Sequence, residues 1–272
     1  VYGVAADVSI SRLFIAGVLP GLMLMGLFMG YLALWAAFNP ERTPPRDIRV
    51  PFVERLRLTA GLYPILGLMV AVIGSIYAGI ATATEAAAVG CVGALALSAA
   101  TGSLSSKNFR ESVMGAVRTT CMVTFILAGA AFLSVSMGFT GVPRQLAAWV
   151  GGMELSQTEL LLALTLLFIV MGCFLDGISI VVLTASVIMP MVEQAGVDLI
   201  WFGVYIVVVI EMSQITPPVG INLFILQSMT KRDILWVARA ALPFFLLLVL
   251  ATVLLILFPG VATWLPSLMT RG

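Results

Sequence analysis

Long apolar blocks alternate along this chain with short polar or proline-containing segments. Blocks of roughly 17 to 25 apolar residues are long enough to cross a bilayer as helices, whereas shorter blocks fit buried or re-entrant helices. The pattern predicts helices over residues 13–38, 58–80, 84–102, 158–175, 180–192, 199–212, 218–229 and 240–258. It therefore predicts an all-α, polytopic membrane protein with roughly seven to nine helices, depending on how the interrupted runs are counted.

Two interruptions of apolar runs predict broken helices. Gly138, Gly141 and Pro143 interrupt the run over residues 120–150, which favours two short helices that meet at a turn, a re-entrant hairpin. A polar break over residues 176–179 separates two further apolar helices. Discontinuous helices of this kind commonly occur in pairs at one site of a transporter.

A third interruption contains two adjacent prolines, Pro217 and Pro218, inside an apolar region. Each proline removes a backbone donor and clashes with the preceding turn of a helix. Lipid cannot satisfy the backbone groups that such a break leaves free. The break therefore predicts a segment that is buried in protein or lines a wet cavity, as at an ion or substrate site. The alternative is a proline kink that neighbouring helices tolerate.

Composition narrows the class of protein. The chain is 61% hydrophobic and 10% charged, with a mean hydropathy of +1.13, which excludes a soluble domain. The net charge of +1 argues against nucleic-acid binding. The absence of histidine removes Ser-His-Asp hydrolysis, HExxH zinc sites and histidine proton relays. The three cysteines have no metal-ligand spacing and are interpreted as packing residues.

The distribution of basic residues predicts the topology. Five arginines in a proline-rich loop over residues 39–57 place that loop in the cytoplasm and make it a candidate hinge between two halves. The same rule places six later residues at the cytoplasmic face and leaves the C-terminus outside: Lys107, Arg110, Arg118, Lys231, Arg232 and Arg239. We divide the chain into a helix and connecting loop, scaffold-type helices, a transport-type region, and a C-terminal helix and tail: residues 1–57, 58–118, 119–232 and 233–272.

Four ionisable residues lie in apolar stretches, where charges are expensive and usually functional: Glu85, Arg144, Asp176 and Glu211. Asp176 is interpreted as a cation ligand, as the N-cap of the following helix, or as both. Arg144 could neutralise a substrate carboxylate or be an interfacial charge. Glu211 could partner a cation or freed backbone amides.

Uncharged oxygens surround the double proline. Thr216, Gly220 and Asn222 offer a hydroxyl, an exposed backbone and an amide, and hard cations such as sodium accept such ligands together with carbonyls freed at a helix break. Neutral ligands favour coupling to sodium, although Asp176 keeps proton coupling open.

A capping pattern precedes the helix over residues 84–102. Thr82 or Thr84 is a candidate N-cap, and Glu85 suits the positive end of the helix dipole. For these three residues a structural role is at least as well supported as a functional one.

Three segments of the chain resemble the large permease subunit of the TRAP (tripartite ATP-independent periplasmic) transporters. Residues 79–90, GIATATEAAAVG, resemble the family's G-I-x-T-P-T-E-A-A-A-V segment, with Ala83 where proline is usual. Residues 172–176, GCFLD, resemble its G-x-F-[ML]-D segment. Residues 211–224, EMSQITPPVGINLF, match its version almost residue for residue. The opening, residues 1–9, resembles the point just after the family's first-half helix break, so we expect a fragment of a longer protein.

The resemblance implies an elevator-type fold with inverted repeats, two re-entrant hairpins and discontinuous helices, of which this chain would be the C-terminal half. It implies a permease subunit of the bacterial inner membrane that takes up organic acids by sodium symport, with sodium as the coupling ion and no cofactor. The implied partners are a small four-helix permease subunit and a periplasmic substrate-binding protein. Because the first half should supply the other cation site, this chain is not expected to transport alone.

Site residues follow from these motifs. We assign cation binding to five residues: Gly172, Asp176, Thr216, Pro217 and Gly220. We assign substrate binding to three: Arg144, Ser179 and Asn222. We assign a structural part in the motifs to five: Thr82, Thr84, Glu85, Glu211 and Pro218.

Other classes of protein fit the sequence less well. An intramembrane aspartyl protease needs two membrane aspartates, and only Asp176 lies in an apolar run, so we do not expect an enzyme. A non-transporting structural subunit would not need polar helix breaks. A channel would be expected to carry a charge ring or a filter-like glycine run. A proton-coupled transporter of another elevator family remains an alternative.

Overall fold

The computed structural model describes residues 1–42, 54, 59–153, 155–217 and 220–269, and this part of the chain folds into α-helices joined by short turns. The helices are α1 (Tyr2–Ala5), α2 (Ile10–Ala16), α3 (Val18–Phe38), α4 (Tyr63–Tyr77), α5 (Ala83–Ala100), α6 (Ser106–Thr140), α7 (Val142–Gly151), α8 (Gln157–Gly172), α9 (Gly177–Gln194), α10 (Leu199–Gln214), α11 (Ile221–Thr230), α12 (Ile234–Leu257) and α13 (Gly260–Met269). Short 3-10 turns lie at Pro40–Arg42 and Thr59–Leu62.

Five helical runs in the described part are long and apolar enough to cross a membrane: Ile10–Phe38, Ala83–Ala100, Ser106–Thr140, Gly177–Gln194 and Ile234–Leu257. Shorter apolar helices accompany them: Tyr63–Tyr77, Gln157–Gly172 and Leu199–Gln214. These helices confirm the prediction of an all-α, polytopic membrane protein. The arginine-rich loop predicted over residues 39–57 lies largely outside the described residues.

Polar side chains determine where several helices begin. The hydroxyl of Thr82 accepts from the backbone N–H of Glu85 (3.3 Å), and the Glu85 carboxylate accepts from the backbone N–H of Thr82 (2.8 Å). This reciprocal arrangement satisfies two otherwise unpaired donors at the start of α5. Thr82 is therefore the N-cap, and Thr84 lies inside the first turn of the helix.

The region over residues 120–150 differs from the predicted pair of short helices. A turn is present at Gly141, whose φ is +70°, and the short helix α7 follows it. The helix before it, α6, is 35 residues long and continuous, so the prediction of a short first arm is wrong. Gly138 lies within α6, since a glycine in a helix costs only about 1 kcal/mol.

The chain divides into two units, residues 1–30 with 121–272, and residues 31–120. In the smaller unit α4 packs against α5, and Gly90 and Gly93 allow their close approach. The four-segment division predicted above stays a prediction.

The core of the larger unit is built around α10, most of whose residues are buried. The Tyr205 hydroxyl donates to the carbonyl of Leu161 on α8 (2.6 Å). The ring of Trp201 stacks on that of Tyr205 at 5.3 Å, and the indole N–H of Trp201 donates to the carbonyl of Leu255 on α12 (3.3 Å). These contacts fix the N-terminal half of α10 between α8 and α12.

We expect Phe168→Ala to lower the free energy of unfolding by about 3–5 kcal/mol, because Phe168 on α8 is 0% exposed and its loss would leave a cavity. Leu166→Ala on the same helix is the matched control, since Leu166 is 65% exposed and its truncation should cost about 0.5 kcal/mol or less. Denaturation of the purified protein in detergent micelles measures both. Equal losses for the two variants would contradict this core.

Candidate functional site

The first helix break lies between α8 and α9. Helix α8 ends at Gly172, and the N–H groups of Phe174 and Leu175 donate to the carbonyl of Met171 (3.0 and 2.9 Å) before α9 begins at Gly177. The predicted break is therefore present, although α8 ends three residues earlier than the predicted helix 158–175.

Asp176 is the N-cap of α9, as one of its two interpretations predicted. Its Oδ2 accepts from the backbone N–H groups of Ile178 (3.1 Å) and Ser179 (3.2 Å), and the Ser179 hydroxyl donates to its Oδ1. These bonds fix the carboxylate at the start of α9. They also bring Asp176 and Ser179, predicted for different roles, into direct contact.

The second break lies between α10 and α11. After α10 ends at Gln214, the N–H of Thr216 donates to the carbonyl of Ser213 (3.1 Å), and the Thr216 hydroxyl donates to that of Met212 (2.9 Å). Gly220 precedes α11 with φ +43°, a conformation that favours glycine. A Cβ there would also lie 2.8 Å from the Thr216 carbonyl oxygen. Pro218 lies outside the described residues.

The two breaks are joined by hydrogen bonds. The N–H of Gly220 donates to the carbonyl of Cys173 (3.3 Å), and the Cys173 thiol donates to the carbonyl of Pro217 (3.4 Å). One backbone N–H of the second break therefore pairs with a backbone carbonyl of the first, and a carbonyl of the second break pairs with a thiol of the first. This pairing answers the requirement that irregular backbone at membrane depth be satisfied within the protein.

Small residues allow the helix ends to cross closely. A Cβ added to Gly172 would overlap the side chain of Ser213, which is fully buried and donates to the carbonyl of Ile210 (2.6 Å). A Cβ added to Gly177 would lie 2.8 Å from Cγ2 of Ile210 and 2.9 Å from Nε2 of Gln214. The backbone at Gly172 and Gly177 therefore lies directly against side chains of the last turns of α10.

Sequence reasoning did not single out Cys173, Ser213 or Gln214, which the structure places at this junction. Ser213 and Gln214 are polar residues four and three positions before Pro217, and that closeness to the double proline was the available signal. Their role depends on α8 and α9 packing against them, which no local pattern reveals.

The geometry brings four helix ends together. The C-terminal ends of α8 and α10 carry carbonyls and partial negative charge, whereas the N-terminal ends of α9 and α11 carry N–H groups and partial positive charge. Such an arrangement can attract a cation to one part of the site and an acidic group to another. Asp176 adds a carboxylate, and Thr216 adds a hydroxyl oxygen.

The remaining predicted residues occupy other positions. Asn222 is the second residue of α11 and is half-buried. Glu211 is exposed on α10 and lines an apolar cavity of about 530 Å³ with residues of α3, α11 and α12. Arg144 lies in α7, and its side chain is outside the described part. Thr82 and Glu85 cap α5 in the other unit.

Comparison with known proteins connects this architecture to a family. The model of the family described as "Tripartite ATP-independent periplasmic transporter, DctM component" matches residues 1–261. This chain belongs to that family. The TRAP large permeases are transporter subunits and not enzymes, which confirms the expectation drawn from the motifs.

Three relatives of the chain carry names that refer to different substrates. The chain is 32% identical to the ectoine/5-hydroxyectoine TRAP large permease UehC of Ruegeria pomeroyi and to the C4-dicarboxylate TRAP large permease DctM of Pseudomonas aeruginosa, covering 98% of this chain and 62% of each relative. It is 31% identical to the isethionate TRAP permease DctMQ of Oleidesulfovibrio alaskensis, over 98% of this chain and 41% of that protein. The chain thus spans about six-tenths of the length of the first two TRAP large permeases.

We expect Gly172→Ala to destabilise the protein by about 1–3 kcal/mol, because the added methyl group would force α8 away from Ser213. The matched control is Gly138→Ala, a helical glycine with open space around its Cβ position, which should be neutral or slightly stabilising. Thermal unfolding in detergent measures both.

A second variant isolates the contact itself. Adding Ser213→Gly to Gly172→Ala removes the side chain that the new methyl group meets, so the double variant should recover part of the loss. If Gly172→Ala behaves like Gly138→Ala, the close crossing is wrong.

Proposed function

We propose that this chain forms the carboxy-terminal part of the transport path of a TRAP transporter, which takes up organic acids by sodium symport. The observation that carries the proposal is the direct contact between the two helix breaks, in which Gly220 N–H meets the Cys173 carbonyl. Paired discontinuous helices are the usual sites for substrates and coupling ions in secondary transporters.

The cation half of the proposal rests on the oxygens at the junction. Sodium is a hard cation that takes carbonyl, hydroxyl and carboxylate oxygens. The carbonyls of Thr216 and Gln214 both lie within 3 Å of the Cβ position of Gly220, so two carbonyl oxygens converge there. The Thr216 hydroxyl and the Asp176 carboxylate are the side-chain ligands we assign to this cation, with Gly172 and Pro217 shaping the backbone.

The substrate half rests on the opposite ends of the breaks. The N-terminal end of α11 presents N–H groups and a positive dipole end that suit an acidic group, whereas the N–H groups of Ile178 and Ser179 at the start of α9 already donate to Asp176. Ser179 and Asn222 lie in the first turns of these helices, and we assign them with Arg144 to substrate recognition. Relatives are named for C4-dicarboxylate, ectoine and isethionate, compounds that each bear an acidic group.

The partners follow from the family and are proposed on that ground. A small four-helix permease subunit completes the membrane unit, and a periplasmic binding protein delivers the substrate at the bacterial inner membrane. Because relatives of similar identity carry names for different substrates, we propose that the binding protein selects the acid. Movement of the substrate is of the elevator type.

Proton coupling is the second candidate, and Asp176 is the observation that favours it. A carboxylate at a helix break could carry a proton in place of sodium. The two mechanisms differ in whether a pH gradient alone, without sodium, drives uptake.

We expect the native transporter, reconstituted with its partner proteins, to take up its organic acid only under an inward sodium gradient. Asp176→Asn keeps a good N-cap but removes the charge, so it should raise the half-saturating sodium concentration by about tenfold while the protein still folds. Thr216→Val should raise the half-saturating sodium concentration about fivefold, whereas Thr216→Ser, which keeps the hydroxyl, should leave it close to that of the unaltered protein. Uptake into proteoliposomes over a series of sodium concentrations measures these effects.

Thr252→Val is the matched control, since Thr252 also donates its hydroxyl to the carbonyl four residues earlier (2.9 Å) but lies on α12. Its sodium dependence should equal that of the unaltered protein. Uptake that is equal in potassium buffer, or driven by a pH gradient alone, would overturn sodium coupling.

A further inference from the structure

A second, smaller cavity of about 290 Å³ lies between the double-proline break and α12. Its walls combine one cationic side chain with apolar groups and two residues of the break. The residues that matter here are Thr216, Pro217, Leu235, Arg239, Leu242 and Phe245. Arg239 is the one charged residue among the described residues that line it, and it is exposed, so its charge lies at the rim of an otherwise apolar cavity.

One face of α12 forms the wall of this cavity. Leu235, Leu242 and Phe245 follow the spacing that places residues on the same side of a helix, with Arg239 between them. Leu235 is 64% exposed and Leu242 is 55% exposed, so this face is open to the surroundings. An exposed apolar face of this kind on a helix long enough to cross the membrane suits contact with lipid.

The position of Arg239 along α12 places it near the membrane surface. Helix α12 begins at Ile234 after the polar turn Lys231–Asp233, so Arg239 lies about 8 Å along the axis from its first residue. An arginine at this depth extends its guanidinium towards the headgroup layer while its stem stays among apolar groups. Arg232 in the same turn lies over the ring of Trp236 at 5.5 Å, an interfacial arrangement.

The side chains that line the cavity indicate which kind of molecule it binds. A guanidinium binds a phosphate through paired hydrogen bonds, and apolar side chains below it accept acyl chains. A small organic acid would leave much of this wall unused, because the cavity offers one charged donor beside mostly apolar residues. A phospholipid with a net negative headgroup matches both parts.

We propose that this cavity is a binding site for an anionic phospholipid of the cytoplasmic leaflet, with its phosphate on Arg239 and an acyl chain along Leu235, Leu242 and Phe245. The lipid then lies against Thr216 and Pro217 and forms one wall of the helix break. The site shares Thr216 and Pro217 with the proposed cation position, but lipid binding to it requires neither sodium nor substrate.

The test measures lipid binding rather than transport. The native protein, purified with the subunits that accompany it, is delipidated and titrated with phosphatidylglycerol or phosphatidylcholine, and bound lipid is counted by native mass spectrometry. We expect phosphatidylglycerol to bind more tightly, and Arg239→Gln to weaken it about fivefold. Arg239→Lys should keep most of the preference for phosphatidylglycerol, and Arg232→Gln, the matched control in the turn before α12, should leave that preference unchanged.

Three results would overturn the proposal. If phosphatidylglycerol and phosphatidylcholine bind equally well to the unaltered protein, the cavity does not select for the charge of the headgroup. Equal losses in Arg239→Gln and Arg232→Gln would indicate a general surface charge and not a site. Displacement of phosphatidylglycerol by millimolar inorganic phosphate would indicate a free-phosphate site, whereas retention of the lipid supports the proposed role of the acyl chains.

Discussion

Broken helices in a membrane must satisfy their freed backbone groups within the protein, and the rest of this structure depends on how that is done. Here one break satisfies the other: Gly220 donates to the carbonyl of Cys173, and the Cys173 thiol donates to that of Pro217. The same contact brings the carbonyl ends of two helices beside the N–H ends of two others. The hydrogen bonds that stabilise the two breaks therefore also assemble the proposed binding site.

Close packing behind the junction makes that geometry possible. Gly172 leaves room for the side chain of Ser213, and Gly177 leaves room for those of Ile210 and Gln214, so α10 packs closely against the first break. Buried aromatic contacts in the first two turns of α10 attach that helix to both neighbouring helices, α8 and α12. The second cavity separates α12 from Thr216 and Pro217, and it is the site that we propose for an anionic phospholipid.

The sequence predicted the breaks themselves because proline, glycine and a capping aspartate act locally. Asp176 and the double proline mark their helix ends in the printed sequence, and the structure places breaks there. Gly138 was misjudged, since one glycine is a weak helix breaker, and the turn requires the positive φ found at Gly141. The contact of Gly172 with Ser213 depends on helix packing over 40 residues of chain and has no local signal.

The central claim is that the two breaks act as one sodium site. Hydrogen–deuterium exchange of the native transporter, titrated with sodium chloride against potassium chloride, tests this most directly. The account predicts sodium-specific protection of peptides that cover residues 172–180 and 212–223, with the same half-saturating sodium concentration in both. Protection that is equal in potassium, or confined to one of the two peptides, would contradict it.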